Sequence, residues 1–210
     1  MKITSIFWDF DGVILDSMNV RDWGFREIFK DFRKSQIEEI IQYHRINGGL
    51  SRYVKIRYFY EKILGQAITE EKVLEYANKF SELMKMELIK KENLIQDTIS
   101  FIEVNYHNYN FHIVSGSDQN ELRYLCSELG LSKYFVSIHG SPTPKFNLVE
   151  TLMRSYKYEE RESILIGDSL NDFEAAKMNK ISFYGYNNLD LMSVGNGYIE
   201  SFEHLNLQYL

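Results

Sequence analysis

Five short runs of β-branched and aromatic residues punctuate a sequence otherwise patterned for helices, and their placement constrains the fold more than any other feature. The first, ITSIFW (3–8), stands alone near the N-terminus. The other four, at 111–115, 135–140, 163–169 and 181–186, come late and alternate with amphipathic stretches at 118–130, 145–156 and 171–179. Strands that alternate with helices form parallel sheets, because a parallel pair needs a long crossover. Between the first run and the second lie four helical patterns, at 19–32, 35–44, 51–64 and 69–90, with no proline among them. Thr69, followed by two glutamates, reads as the cap of the last one. The expected architecture is a doubly wound parallel α/β core with an inserted all-helical domain. The core would comprise residues 1–16 and 98–210, and the insert 17–97.

Bulk properties narrow the class. The chain has 210 residues, 44% of them hydrophobic and 15% aromatic, enough for a sizeable core. A net charge of −6 excludes the basic footprint that nucleic acid or an anionic membrane surface would need. A few placed cations still suffice for a small anionic substrate. Cys126 is the single cysteine, so no intramolecular disulfide exists; within LRYLCSELG it reads as a small core residue. The first apolar run is too short for a signal peptide, and no stretch has the length of a membrane span, so the expected location is the cytoplasm. Nothing in the sequence reads on oligomeric state.

In open α/β sheets, ligands bind at the carboxyl ends of the strands. Those ends collect one kind of chemistry here. FWDFDG places Asp9 and Asp11 after the first strand, two residues apart and hence on the same side of extended chain. VSGS supplies Ser115, Gly116 and Ser117; GSPTPK leads to Lys145; and GDSLND carries Asp168 and Asp172. Each fragment alone reads as an ordinary turn or helix cap. Together they place four carboxylates on one edge, which repel unless a hard cation sits among them, and oxygen-only ligands suit Mg²⁺. Mg²⁺ with a lysine, a hydroxyl and turn amides would hold a phosphoryl group. One carboxylate could then attack phosphorus while a second moves protons.

In order and spacing, DFDGVILDS, VSGS, TPK and GDSLND resemble the four motifs of the haloacid dehalogenase superfamily. The match is to its magnesium-dependent phosphatase branch with a helical cap, which includes phosphoglycolate phosphatase-like and β-phosphoglucomutase-like members. The resemblance covers the whole chain, since the helical insert lies where those members carry their cap. It implies Asp9 as nucleophile and Asp11 as general acid/base, with the Asp11 backbone carbonyl also on the metal. It implies Ser115 and Lys145 as holders of the phosphoryl group, with Gly116 and Ser117 in the same loop. Asp168 would bind Mg²⁺, and Asp172 would do so directly or through water. The implied substrate is a small phosphorylated metabolite such as a sugar phosphate, hydrolysed through an aspartyl phosphate. The alternative is a sugar phosphomutase using the same chemistry. Asp11 and the acidic pair of GDSLND argue against the dehalogenating and phosphonate-cleaving branches. A two-component receiver domain has similar groups but carries its aspartate on an interior strand of a shorter, cap-free chain.

Two further clusters have competing readings. NGGLSRYVKIRYF holds Arg52, Lys55 and Arg57, with Arg52 and Lys55 sharing a helix face. The ordinary reading is a solvated cationic face. The functional one is a cap loop whose glycines let it approach the site, with GLSR similar to cap loops of sugar phosphomutases and Arg52 and Lys55 contacting substrate. His107 and His112, in YHNYNFH, read as surface residues.

Overall fold

The structure is a computed structural model that describes residues 2–203, 205 and 207. Met1 and residues 204, 206 and 208–210, which the expected core segments include, lie outside the described residues. The chain runs β1 (Ser5–Trp8), then α1 (Met18–Ile28), α2 (Lys34–Ile46), α3 (Arg52–Tyr58) and α4 (Glu70–Glu87). It continues through α5 (Gln96–Asn105), β2 (Asn110–Asp118), α6 (Gln119–Glu128), β3 (Ser137–Ser141) and α7 (Lys145–Tyr156). It closes with β4 (Ser163–Gly167), α8 (Leu170–Met178), β5 (Ser182–Tyr186) and β6 (Gly197–Ile199).

All six strands are parallel, in the order β3-β2-β1-β4-β5-β6. The first strand is therefore central, and the chain winds outward from it in both directions. A central parallel strand is covered on both faces, which is why β1 is buried at every position. Its alternate residues serve two cores: Ile6 and Trp8 belong to one buried cluster, and Phe7 joins Val114, Leu165 and Phe183 in the other. Sequence periodicity missed two elements. Helix α5 was unmarked because its start has no side-chain cap. Strand β6 has only three residues.

Helices α1–α4 form the insert. Aromatic side chains hold it together: Phe29 stacks on Phe59 with centroids 3.9 Å apart, and Phe25 meets Phe80 at 4.6 Å. Gly24 lets α1 and α4 approach, since a Cβ there would lie 2.5 Å from the Met84 methyl. The helix expected over 51–64 changes character midway, from α3 to a π-helical turn at Phe59–Ile63. Thr69 caps α4 as expected, its hydroxyl accepting from the Lys72 N–H. The two connections to the core run side by side. Leu15 and Leu94 form an antiparallel bridge; Asp16 N–H donates to Asn93 O at 2.7 Å, and Ile95 N–H to Ile14 O at 3.0 Å.

Two expectations about histidine and cysteine divide. Cys126 is a free, fully buried core residue, as read. His107 is exposed, but His112 is fully buried on β2, bonded to Ser137 Oγ at 2.6 Å and Tyr158 OH at 2.9 Å. Its position next to a polar loop concealed its place on a central strand.

Phe29 is fully buried and packs against four other aromatic rings, those of Phe25, Phe32, Phe59 and Tyr76. Phe29→Ala should cost about 3–5 kcal/mol. Chemical denaturation followed by circular dichroism should show the loss as a lowered midpoint.

Candidate active site

The polar residues at the strand ends converge. Asp9 leaves β1 with its carboxylate buried, and Oδ1 accepts from its neighbour Phe10 N–H at 2.8 Å and from Lys145 Nζ at 2.8 Å. Among the described residues, Oδ2 accepts no protein hydrogen bond. Lys145 opens α7 directly after the N-cap residue Pro144, and its buried ammonium bridges Asp9 and Asp172. Asp172 lies in the first turn of α8, where its Oδ2 takes the Ser169 N–H at 3.0 Å and the Ser169 hydroxyl at 2.6 Å. Gly167 gives it room: a Cβ there would lie 2.4 Å from the Asp172 side chain. Gly12, with φ +75°, does the same for Asp168, whose Oδ2 would lie 1.9 Å from an added Cβ.

Asp9, Asp168 and Asp172 each offer an oxygen within 4.8 Å of the others. Such crowding shows in their protonation. Burial, with Asp172 beside it, pushes Asp9 up to about 7 despite Lys145. Burial and the charges of Asp9 and Asp172 raise Asp168 well above the usual carboxylate range. Burial opposes the Lys145 charge, but Asp172 and Asp9 outweigh it and raise its pKa. Three carboxylates against one ammonium leave an excess of negative charge. A hard divalent cation with oxygen ligands fits that donor set.

Asp11 stands apart from this group. Its Oδ1 accepts from Arg21 Nε at 2.7 Å and from the Ser17 hydroxyl, and its Oδ2 accepts from the Ser117 hydroxyl. Burial works against ionisation, yet Arg21 and the two hydroxyls hold the carboxyl below its ordinary range. The β2–β3 ladder is irregular between Val114 and Asp118, so the backbone of Ser115, Gly116 and Ser117 leaves the regular sheet. Ser115 is buried and its oxygen accepts from Ser117 N–H at 3.1 Å, leaving its own O–H to donate. Gly116 meets the insert: a Cβ there would lie 2.3 Å from Gly49 O, the oxygen that also accepts from Asn171 Nδ2 at 3.0 Å.

The solvated reading of the basic run is overturned for two of its three members. Arg52 and Lys55 are 4% and 3% exposed, and both line the pocket with Asp9, Asp11, Ser115 and Asp168. Helical spacing told that the two share a face but not that the core covers it. Arg57 points elsewhere, to Glu70 on α4. Arg52 donates from both terminal nitrogens to Glu121 and from one of them to Ser81 Oγ at 2.7 Å, with its guanidinium over the Phe80 ring. Glu121 is fully buried on α6 and also takes Arg21 at 3.2 Å. The sequence reading missed Arg21, Ser17, Glu121 and His44. Ser17 lay at the end of the first motif; the others sit within helical patterns, where nothing local separates them from surface charge.

Known proteins place this arrangement. The family described as haloacid dehalogenase-like hydrolase matches residues 6–186. Among curated proteins none matches the chain. Among solved structures, β-phosphoglucomutase from Clostridium difficile superposes with a TM-score of 0.75 at 17% identity, over 99% of this chain and 95% of that one. A predicted phosphoglycolate phosphatase from Haemophilus somnus gives 0.73 at 15% identity, over 96% of each chain. The HAD-hydrolase YfnB from Bacillus subtilis, bound to magnesium, gives 0.72 at 15%, over 97% and 96%. At these identities the structural likeness speaks for the fold, while the family match spans most of the sequence. The chain belongs to the haloacid dehalogenase-like hydrolase family.

Proposed function

We propose that the chain is a Mg²⁺-dependent phosphatase that hydrolyses a small phosphate monoester, a sugar phosphate or similar metabolite, through an aspartyl phosphate on Asp9. The observation that carries this reading is the Asp9 carboxylate: one oxygen held by Lys145 and a backbone N–H, the other free, in a cluster with Asp168 and Asp172. Asp9, Asp168 and Asp172, with the Asp11 backbone carbonyl, would hold Mg²⁺, which when bound supplies the positive charge that the carboxylates and a phosphoryl group require. Asp172 already takes Lys145 and Ser169, so its part is weighted toward orienting Lys145. Residues 17–97 act as a cap over the site, and Gly49 meets the core loop at Gly116.

The remaining steps belong to the protein's own groups. Asp9 Oδ2 attacks phosphorus and the bond from phosphorus to the ester oxygen breaks. The leaving oxygen takes a proton from Asp11. A water then attacks phosphorus, Asp11 takes its proton, and the phosphorus–Asp9 bond breaks to restore the carboxylate. Lys145 and the Ser115 hydroxyl hold phosphoryl oxygens throughout. The arrangement described, with Arg21 on Asp11, is the ionised state that the second half of the reaction needs; for the first half Asp11 carries a proton and is released from Arg21.

A mutase would need a second phosphate site, and GLSR names Arg52 for it. Both terminal nitrogens of Arg52 are already bound by Glu121, with Ser81 on one of them, which favours hydrolysis over transfer.

Asp9→Asn should abolish phosphate release from an aryl phosphate while leaving the circular dichroism spectrum unchanged. Asp11→Asn should lower release by about 10²- to 10⁴-fold, the scale of a lost proton-transfer group. Substantial turnover by Asp9→Asn would sink the covalent mechanism.

Mg²⁺ should raise the thermal midpoint, because it binds the folded cluster and not the unfolded chain. Asp168→Asn should shrink that shift, and a chelator should abolish both shift and activity. Full activity in chelator would remove the metal from the reading.

A further inference from the structure

Three cations line the pocket, and two are satisfied by carboxylates. Arg21 pairs with Asp11 and Glu121, and Arg52 with Glu121. Lys55 differs. Its ammonium donates to His44 Nδ1 at 2.9 Å and to Gly48 O at 3.0 Å, both neutral acceptors. An ammonium has three N–H groups, so one remains without a partner among the described residues, in a side chain that is 3% exposed. Burying a charge without a counter-charge is costly. His44 is itself buried, and burial with Lys55 beside it holds its pKa well below the ordinary value, so the ring is neutral. Because Nδ1 accepts from Lys55, the ring proton sits on Nε2, which faces Asp22 Oδ1 at 3.8 Å. Nε2 and that oxygen are both buried and have no hydrogen-bond partner among the described residues. Asp22, His44 and Lys55 thus form a line through the cap that ends at the pocket.

We propose that Lys55, seated by His44, binds a carboxylate on the leaving group of the substrate, so that the natural substrate is a phosphate monoester bearing a carboxylate. This rests on the phosphatase reading for its substrate and names the group that selects it. A single free N–H suits one carboxylate oxygen. A second phosphate would bring two negative charges, whereas the charges of Arg21 and Arg52 are already matched by Asp11 and Glu121. The protonation of Lys55 accords with the same geometry. Burial, with Arg21 next, brings it down to about 7, against the raising effect of Asp11 and Asp168 and with the further lowering effect of Arg52. The groups facing it are Arg21 from α1, His44 from α2, Arg52 on its own helix, and Asp11 and Asp168 from the strand ends. A bound carboxylate would raise that pKa. Preference for the carboxylate is therefore complete below about pH 7 and is lost as pH rises through that value.

The test compares 2-carboxyethyl phosphate, propyl phosphate and propane-1,3-diyl bisphosphate with Mg²⁺ present. For the wild type, kcat/KM for the carboxylate probe should exceed that for propyl phosphate by roughly 10- to 100-fold, the scale of a hydrogen bond to a charged group. The ratio should fall as pH passes 7, and the phosphate's own titration cancels in it. Lys55→Met should bring the ratio to near one at every pH. His44→Leu should lower it, and His44→Asn, whose side-chain oxygen can accept in place of Nδ1, should restore it; a merely structural His44 would not show that rescue. Equal efficiency toward the carboxylate and propyl probes in the wild type, an unchanged ratio in Lys55→Met, or a preference for the bisphosphate would each overturn the proposal. Calorimetric binding of the first two probes to Asp9→Asn, with and without Lys55→Met, separates the two readings. If no probe releases phosphate from the wild type, the phosphatase reading fails; a Lys55-dependent binding difference would still uphold the carboxylate site, and its absence would overturn it.

Discussion

The polar edge of the sheet is organised around the buried ammonium of Lys145 between Asp9 and Asp172. Charges that close inside a protein interact far more strongly than at its surface, and an unpaired one would be expelled or neutralised. Lys145 keeps Asp9 in place while leaving its second oxygen free. Asp168 has no cationic partner among the described residues, and its raised pKa reflects the crowding with Asp9 and Asp172. The sheet order supplies the geometry: β1 is flanked by β2 and β4, so the ends of three adjacent strands deliver Asp9, Ser115 and Asp168 together. Lys145 arrives from the helix that follows β3, beyond β2.

A second charge system joins the insert to the core. Glu121, with no exposure at all, accepts from Arg21 of α1 and Arg52 of α3. Removing one partner of such a buried set is strongly destabilising, because the other charge is left bare. The insert is thus held over the pocket by the same principle that organises the polar edge of the sheet. Arg21 links the two systems, since it also binds Asp11 and Ser117.

The fold was legible in the sequence because both of its signals are local. Short β-branched runs mark strands that are buried on both faces, and three- and four-residue spacing marks helices. The convergence of the polar residues was legible because parallel strands all point the same way, so a polar residue after each strand must arrive at the same rim. What stayed hidden is pairing between distant residues. Arg52 and Glu121 are 69 positions apart, and Arg21 and Glu121 are 100 apart. A glutamate in NELRYL and an arginine in NVRDWGF look like solvated helix residues until the insert is laid on the core. His44 and Lys55 are only 11 apart, but they lie on two helices whose meeting is decided by aromatic packing rather than by local pattern. The reverse error befell His112, whose polar neighbours suggested a surface position that its strand does not have.

The paired connections at 14–16 and 93–95 carry a mechanical consequence. Two independent threads would let the insert swing about many axes. Here the threads are hydrogen-bonded to one another, so they bend and twist as a single ribbon. A ribbon is compliant across its flat face and stiff along its width. The pairing fixes the two ends of the insert to one another and so sets the register in which Gly49 meets Gly116.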